Sequence, residues 1–218
     1  ISEAILLPEI AKILDRPLEK YAVELVNVDS VAFSPFVNLF SSQNVQTCFS
    51  KVAIVTDDDR CTKKSETNYI NKDFDYDDLN SDISGKLLSG TPSERCNELE
   101  TSCRAVGINV FKATKTLEYA LCCDENNIEY FIEAIKSEYS QLGPALEQKV
   151  NSLHDMNEKA ACVWLFIRAR EKCKGAIAQY ISQIIKKQCE MRKRGENIEK
   201  EFVIPDYLKE AVYCVTER

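Results

Sequence analysis

Lys51-Val52-Ala53-Ile54-Val55-Thr56-Asp57-Asp58-Asp59-Arg60 is the stretch whose reading decides the fold. A β-branched run that stops abruptly at acidic residues reads as a buried strand of a parallel sheet. Such a strand delivers its last residues to the carboxyl edge of the sheet, where α/β proteins place their ligands. Asp57 and Asp59 stand two apart with one residue between them for the turn, a spacing that lets both carboxylates reach one hard cation such as Mg²⁺. Three consecutive acids repel one another unless a cation relieves them. The competing reading is a polar turn that merely closes a strand.

Working outward, Ala22–Val28 reads as a second short buried strand and Ile108–Phe111 as a third. Helical periodicity separates them, over Ser2–Leu14 with a kink or restart at Pro8, over Phe33–Phe40 and over Ser93–Ala105. Strands alternating with helices predict a parallel sheet. Residues 58–93, rich in Asp, Asn, Ser, Thr and Lys, interrupt the pattern and read as an exposed, partly disordered insertion. Beyond Thr116 the chain reads as helical, over Asn127–Tyr139, Ala145–Leu153, Glu158–Arg170 and Lys174–Arg192, with breaks at Gly143-Pro144 and Lys193-Arg194-Gly195. Pro205 is placed to start a last helix with Tyr207, Leu208, Ala211 and Val212 on its apolar face.

The 218 residues carry a formal net charge of −7, which argues against simple DNA binding by this chain alone, because phosphate contacts need cations. It argues less against a nuclease in which divalent ions bridge carboxylates to phosphate. No apolar run approaches the ~20 residues of a membrane span. The first residues do not read as a signal peptide and run straight into a helical pattern, which suggests a slice of a longer polypeptide. The ten cysteines show no C-x-x-C spacing and read as reduced, small hydrophobes in a cytoplasmic protein. His154 is the single histidine, which lowers the odds of a histidine triad or a histidine-rich zinc site, and no glycine-rich phosphate loop occurs.

Further residues matter in combination. Glu3 starts the first helix, where the helix dipole favours a carboxylate in any case. Glu118 follows Thr116, which is placed to cap a helix, and has the same bland explanation. Lys174 opens a long helix against the dipole, which invites a phosphate or a charged transition state nearby; the plainer reading is a solvated lysine. Asp73-Phe74-Asp75-Tyr76-Asp77-Asp78 imitates the first half of a calcium loop, but Asp78 and Ser84 occupy the positions that need Gly and Glu, so a solvated acidic loop is favoured.

Taken in order, these segments resemble the Toprim nuclease domain of overcoming-lysogenization-defect (OLD) family endonucleases. Ile1-Ser2-Glu3-Ala4-Ile5-Leu6-Leu7-Pro8 is similar to the family's Glu-Gly-x-Ser/Thr-Glu-Ala-x-Leu-Leu-Pro without its leading Glu-Gly. Val26–Val28 with Val31-Ala32-Phe33 looks like its second strand and turn, and Val52–Asp59 like its Asp-x-Asp strand, with Asp58 where glycine is usual. Lys115–Tyr119, Lys174–Gln179 and Phe202–Leu208 resemble further family segments, while 60–105 diverges.

The resemblance implies an α/β, Toprim-like parallel sheet flanked by helices, with a helical subdomain. Residues 1–119 would form the core with the insertion at about 58–93, 120–172 the helical subdomain, and 173–218 the closing helices. It implies a metal-dependent DNA endonuclease using two Mg²⁺ or Mn²⁺ ions. Asp57 and Asp59 would hold one ion with an upstream glutamate, Glu3 the second with Glu118 as a further candidate, and Lys174 would steady the transition state. Asp58 would add negative charge to the turn. The family's ABC-type ATPase domain, through which alone ATP would enter, and a homo-oligomer are the implied partners besides DNA. The alternatives are a Toprim domain of a primase, topoisomerase or recombination mediator, or a non-catalytic domain that keeps the fold.

Overall fold

The computed structural model describes residues 2–28, 32–40 and 51–217. Its centre is a parallel pair of strands, β1 (Ala53–Asp57) and β2 (Asn109–Ala113), in the register Ala53 opposite Asn109 through Asp57 opposite Ala113. Successive side chains of a strand point to opposite faces, and β1 uses both. Ile54 packs into a small core with Val37 of helix α2 (Ser34–Phe40) and Leu99 and Cys103 of α4 (Glu94–Ala105). Val55 packs against the main core, and α10 (Asp206–Thr216) lies against both strands. The fold is therefore α/β, a small parallel sheet among many helices.

The third expected strand does not form. Residues 23–28 are irregular and pair with no strand among the described residues, and Leu25 and Val26 are exposed. An apolar run supplies β-propensity, but pairing and cross-strand packing make it a strand, and neither is present here. The family-like turn at Val31 falls outside the described residues.

The helical body holds α5 (Leu117–Cys122), α6 (Glu125–Glu138), α7 (Leu142–Ser152), α8 (Met156–Ala169) and α9 (Lys174–Arg194). Short polar side chains start three of these helices, α5, α6 and α8: the Tyr119 N–H donates to Thr116 Oγ1 (3.3 Å), as the sequence implies, and N–H groups of the first turns donate to Asp124 and Asp155. Gly195 ends α9 at φ 69°, a conformation glycine adopts without penalty. Gly143-Pro144 does not break the chain but sits in the first turn of α7, where proline's missing N–H costs nothing. A Cβ on Gly143 would come within 2.7 Å of the Lys136 backbone, so glycine sets the close approach of α6 and α7.

Helix α1 (Ser2–Ile13) runs through Pro8 without a restart. Proline removes one intrahelical bond, and packing of Leu6, Leu7 and Ile10 in the main core, alongside α9, holds the helix together. Residues 58–93 are not the exposed insertion expected. They form helix α3 (Ser81–Ser89) and a tight turn at Tyr76–Asp78, and they bury Cys61, Ile70, Tyr76, Leu79, Ile83 and Leu87 against α8 and its neighbours. In the acidic 73–78 stretch, Asp75 caps the turn and takes both Nη atoms of Arg170 at 2.8 Å. Its charge is used structurally.

Two buried amides then fix the approach to α10. Asn127 receives the Val203 N–H at 2.8 Å and donates to the Val203 carbonyl at 2.7 Å, while Gln188 receives the Phe202 N–H at 2.8 Å. These bonds tie the segment before α10 to α6 and α9, and so set where Tyr207 sits.

Candidate metal centre

Asp57, Asp58 and Asp59 leave β1 together and separate into three environments. Asp57 is held by the Leu117 N–H, which donates to Asp57 Oδ1 at 2.9 Å. That bond joins the end of β1 to the first turn of α5 and brings the buried Glu118 into its vicinity. Glu118 Oε1 in turn accepts the Ser2 hydroxyl at 3.0 Å, a bond across 116 residues that anchors the start of α1. Glu3, half-buried in the first turn of α1, arrives beside them.

The electrostatics follow from this crowding. Burial, then the negative charges of Glu118, Glu3 and Asp59, push the Asp57 carboxyl from 3.8 up to about 8, against the opposing pull of the Leu117 N–H. Burial foremost, then Asp57, Glu3 and Glu118, raise the phenol of Tyr207. The structure thus brings Glu3, Asp57 and Glu118 into one acidic neighbourhood, under Tyr207 of α10.

Asp58 faces elsewhere. It is 2 % exposed and accepts from the Arg60 N–H (3.1 Å), Arg60 Nε (2.8 Å), Arg60 Nη2 (2.6 Å) and the Lys115 N–H (2.9 Å). The Lys115 ammonium donates to the Arg60 carbonyl at 2.5 Å and lies 5.3 Å from the centre of the Trp164 ring. The charge expected to load the metal turn is therefore neutralised within a basic knot. Asp59, at φ 50°, pairs with Arg95 Nη2 at 2.6 Å, and the same nitrogen reaches the Asp57 carbonyl at 3.4 Å. Arg95 Nη1 is buried with no hydrogen-bond partner among the described residues.

Lys174 is half-buried as the first residue of α9. Among the described residues no hydrogen bond or ion pair engages its ammonium. Helix α9 packs along α1, whose first turn carries Glu3. Arg95 and Tyr207 are the site-facing residues that sequence reasoning passed over. Arg95 lies in the divergent stretch 60–105, and Tyr207 fits the apolar stripe of its helix so well that nothing marks it out.

The donor set suits a hard divalent cation, since every candidate ligand is a carboxylate oxygen and the buried Asp57 needs a positive charge to ionise near neutrality. Among the described residues, however, no three such side chains converge closely enough to hold an ion as they stand. The reason is visible in their partners: Asp57 holds an N–H, Glu118 a hydroxyl and Asp59 a guanidinium. The nine cysteines among the described residues are free, and no helix among those residues is long and apolar enough to cross a membrane.

Residues 1–59 match the family described as overcoming lysogenization defect protein-like, TOPRIM domain. The match ends at Asp59, so it contains Glu3, Asp57 and Asp59 and stops before Glu118, Lys174 and Tyr207. No curated protein and no solved structure matches the chain. The matched part points to metal-binding, nucleic-acid-processing chemistry.

Proposed function

We propose that this chain carries the active site of a divalent-metal-dependent DNA endonuclease, which hydrolyses phosphodiester bonds with Mg²⁺ or Mn²⁺. The observation that carries the reading is Asp57, placed at the carboxyl edge of β1 among Glu118, Glu3 and Asp59, with its carboxyl pushed up to about 8. Such crowding of like charge costs stability in a protein without a counter-ion, and it is the arrangement a cation relieves.

Asp57 and Asp59 would hold one ion, and Glu3 with Glu118 a second. Bound divalent ions supply an activated water and stabilise the leaving oxygen of an in-line displacement. The chain's own part is to position these ligands. The Leu117 N–H orients Asp57, and Ser2 orients Glu118. Asp59 must leave Arg95 to take up its role. Lys174, at the start of α9, would stabilise charge building on the phosphoryl oxygens. In this reading 120–172 serves as a helical subdomain. The unit would act in the cytoplasm within a homo-oligomer, beside an ABC-type ATPase domain of the same protein that supplies ATP coupling and much of the DNA surface.

Supercoiled plasmid should be nicked or linearised by the protein in Mg²⁺ or Mn²⁺ and spared in chelator. Intact plasmid under both metals would sink the proposal. The Asp59–Arg95 pair gives a second reading some footing, that of a Toprim fold kept as a non-catalytic interaction domain, and intact plasmid is its outcome.

A further inference from the structure

The start of α4 is bonded to the acidic end of β1. The Ser93 N–H donates to the Asp58 carbonyl at 2.9 Å, and the Ser93 hydroxyl caps α4 by accepting the Cys96 N–H. The positive end of the helix dipole therefore meets the turn that carries Asp57 and Asp59. Arg95 stands in that first turn, where a cation is disfavoured unless an anion faces it. Asp59 is that anion, 2.6 Å from Arg95 Nη2, and both side chains are part-exposed. The pair uses the guanidinium incompletely. Nη2 reaches the Asp57 carbonyl only at 3.4 Å, and Nη1 has no partner among the described residues.

We propose that Arg95 is a substrate-contacting residue, which exchanges Asp59 for a phosphate of the bound DNA when a divalent cation takes Asp59. The inference rests on the nuclease reading. A cation on Asp59 leaves Arg95 facing a second positive charge as well as the helix terminus, and an anion held between them relieves the repulsion. The carboxylates of α4 serve poorly. Glu94 is paired with Lys63, and Glu98, three residues along the helix, would make an exposed pair of little worth. A phosphodiester differs because it arrives at the cation itself. An oxygen bound to the ion that Asp59 holds is brought within reach of the guanidinium that Asp59 now engages. The two non-bridging oxygens of a phosphate also match the planar fork of an arginine.

The test compares wild type, Arg95→Ala and Arg95→Lys in the full protein. Mn²⁺ titration without DNA should show tighter binding in Arg95→Ala, because a competitor for Asp59 has gone. Fluorescence anisotropy with a duplex oligonucleotide in Ca²⁺ should show the same variant binding DNA about tenfold more weakly, with the slope of log affinity against log salt shallower by about one. Arg95→Lys keeps the charge without the fork, so it should keep the wild-type slope and lose about threefold in DNA affinity. Metal and DNA affinity moving in opposite directions is the signature of the exchange. Unchanged oligonucleotide affinity in Arg95→Ala overturns the proposal. So does a loss of Mn²⁺ affinity parallel to the loss for DNA, which would make Arg95 a residue that shapes the metal turn. Wild-type protein that binds no Mn²⁺ signals instead that the nuclease reading itself has failed.

Discussion

The backbone N–H of Leu117 donates to Asp57 Oδ1 at 2.9 Å. This bond links the last residue of β1 to the helix that carries Glu118, across 60 residues of sequence, and so sets two acids side by side. Each of the following expectations depends on how these and the neighbouring charges are held.

The first concerns pH. In the unfolded chain the Asp57 carboxyl titrates near 3.8, and in the folded protein near 8, because of burial and the nearby acids. Between those values the native state keeps a proton that the unfolded chain has released, so raising the pH favours unfolding. Below about 4 the group contributes nothing, and above about 8 the penalty is complete and constant. Melting temperature in chelator should therefore fall from pH 4 to 8 by more in wild type than in Asp57→Asn. Parallel profiles for the two proteins would contradict this. Mn²⁺ must displace that proton, so its apparent affinity should rise with pH up to about 8.

Asp58 is expected to serve stability rather than catalysis. Asp58→Asn leaves Arg60 without its carboxylate in a buried knot, for a loss on the order of 3 kcal/mol. Urea denaturation should show this as a lower midpoint with an unchanged slope. Mn²⁺ affinity in the folded variant should stay near wild type, and a large change in affinity would put Asp58 back in the metal turn.

Arg95 competes with a cation for Asp59. Arg95→Ala should therefore tighten Mn²⁺ binding by roughly two- to fivefold, the range set by a part-exposed ion pair worth under about 1 kcal/mol. Calorimetric titration measures this directly. Weaker binding would mean that Arg95 helps to shape the site instead of blocking it.

Lys174→Ala should lower the cleavage rate by about a hundredfold, as expected for removal of one charge-stabilising group, with Mn²⁺ affinity little changed. Single-turnover kinetics beside a metal titration separate the two. A variant that cleaves at the wild-type rate would return Lys174 to an ordinary half-buried lysine.

Much of this arrangement was legible before the structure. The β-branched run ending at Asp57 announced β1 and its acidic edge, and Thr116 marked the start of α5 because a capping side chain acts within three residues of itself. Asp58 was misjudged for the opposite reason. Its partners include the Lys115 backbone N–H, 57 residues away, and no local pattern reveals a contact at that range. The stretch 58–93 looked like a solvated insertion because its apolar residues are widely spaced, yet six of them reach the core. Ala22–Val28 looked like a strand because composition carries β-propensity, while the pairing that makes a strand lies outside the segment.

The most direct test of the metal-centre account is Mn²⁺-dependent plasmid cleavage by wild type and Asp57→Ala, with melting curves recorded for both in chelator. Asp57 ends a strand fixed by its neighbours, so its removal takes away a ligand and little packing. The account predicts a loss of cleavage of about a thousandfold or more, with a melting temperature equal to or above wild type because a carboxyl that folding forces to stay protonated has gone. Cleavage by Asp57→Ala at the wild-type rate would contradict it.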